Sequence, residues 1–302
     1  MSKPDLGFIG LGIMGEPMAG HLAQAGYRLS VYDINRACSE RVAKKHPGVQ
    51  IAESPRAVGE VAEIVVCMLP SGQYVREVAL GDSGLIHGLA SGSLLLDTSS
   101  CEPWITVATA QALAEKGIGM VDAPVSGAQM GAINAQLVFM VGGDDASIRR
   151  VAPLLEVMGK QMFHLGPIGA GHAMKCINNL ITTVTFLATA EGLTIGKKFG
   201  LDPAVMTDVI NVSTAESWVS RTHIKQRIIS RKFDDPFKLG LMVKDIHIAM
   251  RLAADLKLPL PLTSLNEKLW TAAGEQEGEE ASVSNLVRWL EQTTGVEITG
   301  GR

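Results

Sequence analysis

Leu6-Gly7-Phe8-Ile9-Gly10-Leu11-Gly12-Ile13-Met14-Gly15 is the stretch on which the fold turns. The apolar run Leu6 to Ile9 ends in glycines, and Met14, Met18, Leu22 and Ala25 then recur at helical spacing. The order is strand, tight turn, helix. A GxGxxG spacing in that context has a physical reading. Gly10 permits the turn, Gly12 lets the backbone approach a pyrophosphate, and Gly15 lets the helix sit close to the strand. The helix N-terminus then stabilises the anion. The segment Gly10, Leu11, Gly12, Ile13, Met14 and Gly15 is therefore expected to hold a dinucleotide.

The chain beyond repeats the pattern. A second strand, Leu29 to Tyr32, closes on Asp33, which lies 18 residues beyond Gly15. A carboxylate there accepts hydrogen bonds from ribose hydroxyls and repels a 2'-phosphate, which favours NAD over NADP. Arg36, three residues on, is the one feature that would suit a phosphate instead. Ile64 to Met68 and Leu94 to Leu96 are unalternating apolar strands, buried on both faces, and Met120 to Val125 and Leu137 to Gly142 continue the sheet. Helical segments Arg36 to Lys45, Gln73 to Leu80 and Trp104 to Lys116 separate the early strands, so the sheet is expected to be mainly parallel. Leu69, Pro70 and Ser100 follow strands, at the carboxyl edge where such sheets bind ligands.

After about His164 the strand signal stops. A long helix from Ala170 is followed by helical patterns over Pro203 to Val212, Ser217 to Ser230, Lys244 to Leu256 and Ser282 to Thr293, with Glu275 to Glu280 read as an acidic loop. The expected architecture is α/β: a Rossmann-like domain over residues 1–165, then an all-helical substrate and oligomerisation domain over 166–302.

Composition narrows the function. With 302 residues and 46% hydrophobic content the chain can build two cores. Its 27 basic and 31 acidic residues are interspersed, net −4, so no basic face gathers nucleic acid. Cys38, Cys67, Cys101 and Cys176 lie 29 or more residues apart, matching neither a paired metal motif nor a disulfide framework. The histidines show no paired ligand spacing, and no metal is expected. Met1 to Leu11 has no basic segment followed by an apolar leader, so a cytoplasmic location is expected. Lys175, Asn178, Asn179 and Glu191 interrupt the most apolar stretch, Ala170 to Gly196, which reads as a buried helix and not a membrane span.

Lys175, Asn178 and Asn179 share a helix face. An ammonium and two carboxamides are costly in an apolar helix without partners, so they mark a site. The run Gly166-x-x-Gly169-x-Gly171-x-x-x-Lys175-x-x-Asn178-Asn179 resembles the catalytic segment of beta-hydroxyacid dehydrogenases. Phe8 to Met18 resembles that family's N-terminal signature, Asp122-Ala123-Pro124-Val125-Ser126-Gly127 its substrate loop, and Lys244-Asp245 its late lysine motif.

The resemblance implies reversible hydride transfer between NAD(H) and a small 3-hydroxy acid or its semialdehyde, such as tartronate semialdehyde, 3-hydroxyisobutyrate or 2-(hydroxymethyl)glutarate. It implies that Lys175 is the general acid/base, that Ser126 and Gly127 bind the substrate carboxylate, and that Asn179, with Asn178, orients the substrate. It further implies that Lys244 approaches the nicotinamide end of the cofactor, that Trp218 lines the substrate pocket, and that the chain forms homodimers or homotetramers. Burial would lower the lysine's pKa toward working pH, which suits proton transfer in both directions and which arginine could not match.

Two departures bear on specificity. The family's substrate loop continues with a second glycine and later Gly-Thr-Leu, where this chain has Ala128-Gln129 and Ala135-Gln136-Leu137. The alternatives are an imine reductase-like enzyme, typically without a lysine at the place of Lys175, and a dinucleotide sensor that has lost catalysis.

Overall fold

The computed structural model describes residues 3–301; Met1 and Ser2, part of the stretch read for a leader, and Arg302 lie outside them. The strands are β1 (Leu6–Ile9), β2 (Leu29–Tyr32), β3 (Gln50–Ile51), β4 (Ile64–Cys67), β5 (Leu94–Asp97), β6 (Gly119–Asp122), β7 (Val125–Ser126), β8 (Leu137–Gly142) and β9 (Gly159–Gly166). The helices among them are α1 (Gly15–Gln24), α2 (Arg36–Lys45), α3 (Pro55–Gly59), α4 (Gly72–Leu80), α5 (Pro103–Ala114), α6 (Ala128–Ile133) and α7 (Asp145–Met158). Then come α8 (Ala170–Phe199), α9 (Pro203–Ile210), α10 (Trp218–Thr222), α11 (Leu239–Asp255), α12 (Pro261–Glu277) and α13 (Asn285–Thr294). Two compact units divide inside α8, between Lys175 and Cys176.

The first unit is one sheet of order β3-β2-β1-β4-β5-β6-β8-β7, with β9 beside β8. It is parallel from β3 to β6, while β8 runs antiparallel to β6 and β7. Strands β1, β4 and β5 are buried at every residue, as their unbroken apolar runs require. One core cluster includes Phe8, Met18, Leu22, Val66 and Leu96, and another includes Ile9, Val65, Cys67, Leu95 and Leu113. Alternate residues of each central strand thus point to opposite faces. The order reverses between β1 and β4, the crevice where doubly wound sheets take dinucleotides.

The second unit is helical, with a core that includes Phe186, Leu193, Ile246, Trp270 and Leu286. Thr183 joins α8 to α12: Asn266 Nδ2 donates to its hydroxyl at 2.9 Å and Trp270 Nε1 to its carbonyl at 3.3 Å. Among the described residues no helix is long and apolar enough to cross a membrane.

Three expectations need correction. Ser217 to Ser230 is not one α-helix, because α10 passes into a π-helical stretch, Ile224–Ile229. Glu275 to Glu277, read as part of an acidic loop, are the last residues of α12. Met120 to Val125 is not one strand: β6 stops at Asp122 and β7 starts at Val125 after Ala123-Pro124, proline having no amide to donate.

Candidate active site

The glycine turn has the geometry a dinucleotide cradle needs. Gly10 has φ +91°, and a Cβ there would lie 2.3 Å from the Met68 carbonyl oxygen; one at Gly15 would lie 1.9 Å from the carbonyl oxygen of Gly10. Gly12 is different, since a Cβ there would meet nothing within 4 Å. Gly10 and Gly15 serve packing, and Gly12 keeps an open approach to the backbone ahead of α1. Leu11 is buried, Ile13 exposed, and Met14 half-buried.

Asp33 is fixed by the chain itself. The Leu11 amide donates to Oδ2 at 2.6 Å and the Asn35 amide to Oδ1 at 2.8 Å. Arg36 turns to Glu53, whose two carboxylate oxygens lie 2.9 and 2.8 Å from Nη1, and to Glu40 at 3.3 Å. Hydrogen bonds and charge from Glu53 raise its pKa further. At the ends of β4 and β5, the Leu69 amide donates to Ser99 Oγ at 2.9 Å, joining the loop of Leu69 and Pro70 to that of Ser99 and Ser100.

On the second sequence motif, Ser126 is half-buried and paired with Val138 across β7 and β8. Gly127 follows with φ +130° and Ala128 with φ +53°. The family's second glycine is thus replaced by alanine at a left-handed position, where a Cβ costs about 1 kcal/mol or more.

The glycines around the start of α8 answer to two demands, left-handed backbone before the helix and close contact with the sheet in its first turn. Gly166 and Gly169 have φ +137° and +92°. A Cβ on Gly171 would lie 2.1 Å from the Met140 carbonyl oxygen and 2.8 Å from Asp122 Oδ2. Lys175 follows one turn on and is half-buried.

Further along α8, Asn178 Nδ2 donates to Asn179 Oδ1 at 3.1 Å, and Asn179 Nδ2 to Asp245 Oδ2 at 2.5 Å. Lys244 Nζ lies 3.3 Å from the other oxygen, Oδ1. The late lysine motif and the catalytic-segment asparagines therefore form one chain of polar contacts. Burial, reinforced by the Asp245 charge, pushes the Cys176 thiol up to about 12, so it is no nucleophile.

Trp218 is 48% exposed, and its ring centroid lies 4.5 Å from that of His223. His223 is buried, with Nε2 3.0 Å from Asp235 Oδ2. Burial alone would raise the Asp235 pKa, but the His223 hydrogen bond, the Phe237 amide and the charges of His223 and Arg227 bring it below the usual value.

Sequence reasoning missed one cluster. Asp97, Asp122 and His172 are each 0% exposed and come together at the start of α8. Asp97, Cys101 and His172 even bring metal-ligating atoms within 4.8 Å of one another. These groups are engaged with protein: the Cys101 thiol and the Ser99 amide meet Asp97, and His172 Nε2 lies 3.1 Å from the Ser99 carbonyl. The residues are far apart in sequence, and no spacing rule gathers them.

Two family models match the chain, one over each part. Residues 5–166 match the model of the NAD binding domain of 6-phosphogluconate dehydrogenase, and residues 169–290 match that of the NAD-binding region of NADP-dependent 3-hydroxyisobutyrate dehydrogenase. A 3-hydroxyisobutyrate dehydrogenase of Pseudomonas aeruginosa is 37% identical over 94% of this chain and 98% of its own. A 2-(hydroxymethyl)glutarate dehydrogenase of Eubacterium barkeri is 34% identical over 98% of both. The solved Mycobacterium tuberculosis 3-hydroxyisobutyrate dehydrogenase with L-serine superposes with TM-score 0.86 at 31% identity, over 96% of this chain and 99% of that one. The expected Rossmann-like domain, helical second region and dinucleotide use stand, and NAD is consistent with the matches. The chain is an NAD-linked oxidoreductase that acts on a hydroxyl group, and it belongs to the beta-hydroxyacid dehydrogenase family.

Proposed function

We propose that this enzyme interconverts a small 3-hydroxy carboxylic acid and its semialdehyde, with Lys175 as general acid/base and NAD(H) preferred over NADP(H). The observation that carries the reading is the polar chain Asn178, Asn179, Asp245 and Lys244, which begins three residues beyond Lys175 on the same helix. When bound, the nicotinamide dinucleotide supplies or accepts the hydride.

Gly12 leaves room for the pyrophosphate, Asp33 accepts from the adenosine ribose, and Leu69, Pro70 and Ser100 border the cofactor at the strand ends. The family resemblance assigns Lys244 to its nicotinamide end. Ser126 donates its hydroxyl, and Gly127 its amide, to the substrate carboxylate. Asn179, held by Asp245, orients the reacting oxygen with Asn178 beside it, and Trp218 supplies an apolar wall. Lys175 gives a proton to the carbonyl oxygen during reduction and takes it back during oxidation.

NAD preference is supported by the fixed Asp33 carboxylate and by Arg36 being engaged with Glu53 and Glu40. Self-association is supported by the exposed apolar residues Ile195, Phe199, Val205, Val209 and Val212 on and beside α8 and α9. Sedimentation analysis should therefore give a dimer or tetramer, and a monomer at micromolar concentration overturns that part.

The activity test offers tartronate semialdehyde and the semialdehyde of 3-hydroxyisobutyrate with NADH and NADPH separately, and 3-hydroxyisobutyrate, 2-(hydroxymethyl)glutarate and L-serine with NAD. Turnover of at least one compound, faster with the NAD couple, is expected. Tight NADH binding with no turnover of any of them would contradict the reading and favour a sensor.

A further inference from the structure

The start of α8 is tied to the sheet by a set of buried polar contacts that neither proton transfer nor cofactor binding uses. Asp122 Oδ1 accepts from the Gly169 amide at 2.7 Å and Oδ2 from the His172 amide at 2.8 Å, so a carboxylate sits against the first turn of the helix. Such a carboxylate satisfies helix donors that have no intrahelical partner.

The His172 ring continues the network. Nε2 donates to the Ser99 carbonyl at 3.1 Å, since a carbonyl can only accept, and Nδ1 lies 2.8 Å from Thr106 Oγ1. Asp97 Oδ2 lies 3.7 Å from Nε2 and Asp122 Oδ2 3.7 Å from Nδ1. Three places on the sheet and its helices, namely the end of β5, α5 and the end of β6, therefore hold one side chain.

The arrangement makes little sense as core filling. Burying an imidazole and two carboxylates costs several kcal/mol in desolvation, and a well-packed apolar group is often as stable or more so. What such contacts provide is a defined direction. Gly171 lies between the two anchors, and a Cβ there would fall 2.1 Å from the Met140 carbonyl oxygen, so the helix packs on the sheet with no room for a side chain. Lys175 lies three residues after His172, about 4.5 Å along the axis. A small rotation of this turn swings the end of a lysine side chain by an ångström or so, and a misplacement of about 1 Å can cost about 10²-fold in rate.

We propose that His172, braced by Asp122, Thr106 and Ser99, is a positioning residue that sets the direction of the Lys175 side chain. This rests on Lys175 being the acid/base. The test is a double-mutant cycle with His172→Leu, Lys175→Ala and both together, measuring kcat, KM and NADH affinity, with a small added amine to raise the residual rate of the Lys175→Ala proteins. His172→Leu should lower kcat about tenfold or more with Lys175 present. NADH affinity should stay within about twofold, and in the Lys175→Ala background the same change should alter the rate by no more than about twofold, as expected for a residue that acts only through its partner.

Equal losses in both backgrounds would overturn the proposal by showing a general structural role, and so would an unchanged kcat in His172→Leu. If Lys175→Ala were as active as the native enzyme, the acid/base reading would fall and this proposal with it, a result distinct from the other two. Should His172→Leu fail to fold, the near-isosteric Thr106→Val, which removes the hydroxyl facing Nδ1, carries the same cycle.

Discussion

Asn179 and Asp245 lie 66 residues apart in sequence and share a hydrogen bond of 2.5 Å, with Asp245 1% exposed and its second oxygen 3.3 Å from Lys244. A hydrogen bond to a charged acceptor contributes roughly 1.5–3 kcal/mol. Asp245→Ala is therefore predicted to lower kcat/KM by roughly tenfold or more. Steady-state kinetics on folded protein checks this, and an unchanged kcat/KM would remove Asp245 from the site.

Asp33 should govern cofactor choice. Like-charge juxtaposition costs several kcal/mol, so Asp33→Ser is predicted to raise the ratio of kcat/KM for NADPH over NADH by roughly tenfold or more. Part of the change will come from weaker NADH use, because the Leu11 and Asn35 amides lose their acceptor. Initial rates with each cofactor measure it.

The glycines of one motif should separate into two classes. Gly12→Ala meets nothing within 4 Å, so melting should be unchanged while the KM for NADH rises. Gly15→Ala drives a methyl to 1.9 Å from a backbone oxygen. Overpacking of this kind costs about 1–3 kcal/mol, at roughly 2–4 °C of melting temperature per kcal/mol. Calorimetry and NADH titration on the two variants distinguish the roles.

The division between what was legible and what was not has a physical basis. Strands such as Ile64 to Cys67 announced themselves because both faces are buried, which forces a continuous apolar run. The glycine turn was legible because Gly10 takes a left-handed φ of +91° and Gly15 leaves no room for a Cβ against the Gly10 carbonyl. β9 was not: its residues are exposed or half-buried, so no burial pattern marks it. α12 carries Leu262 and Leu265 on its exposed side, which blurs the helical period. At the site, Lys175, Asn178 and Asn179 stood out as polar residues in an apolar helix. Asp97 and His172 did not, and Asp122 was marked only as the first residue of the loop motif, because only tertiary folding makes the three neighbours.

Asp235 predicts an acid-side signature. Its pKa in the folded protein lies below the unfolded value, so its contribution to stability is full above the unfolded pKa of about 3.9. That contribution is lost as pH falls through the lower, folded value. Asp235→Asn should melt lower than native near neutrality, and the difference should narrow below about pH 4. Melting curves across the acid range provide the check; a constant difference at every pH would contradict the assignment.

The most direct test of the account is the rate of semialdehyde reduction by Lys175→Ala, with NADH binding measured on the same protein. Positioned proton transfer contributes about 10²–10⁴-fold, so kcat should fall by that factor while NADH affinity is retained. A folded Lys175→Ala enzyme that binds NADH and reduces the semialdehyde at the native rate would contradict it.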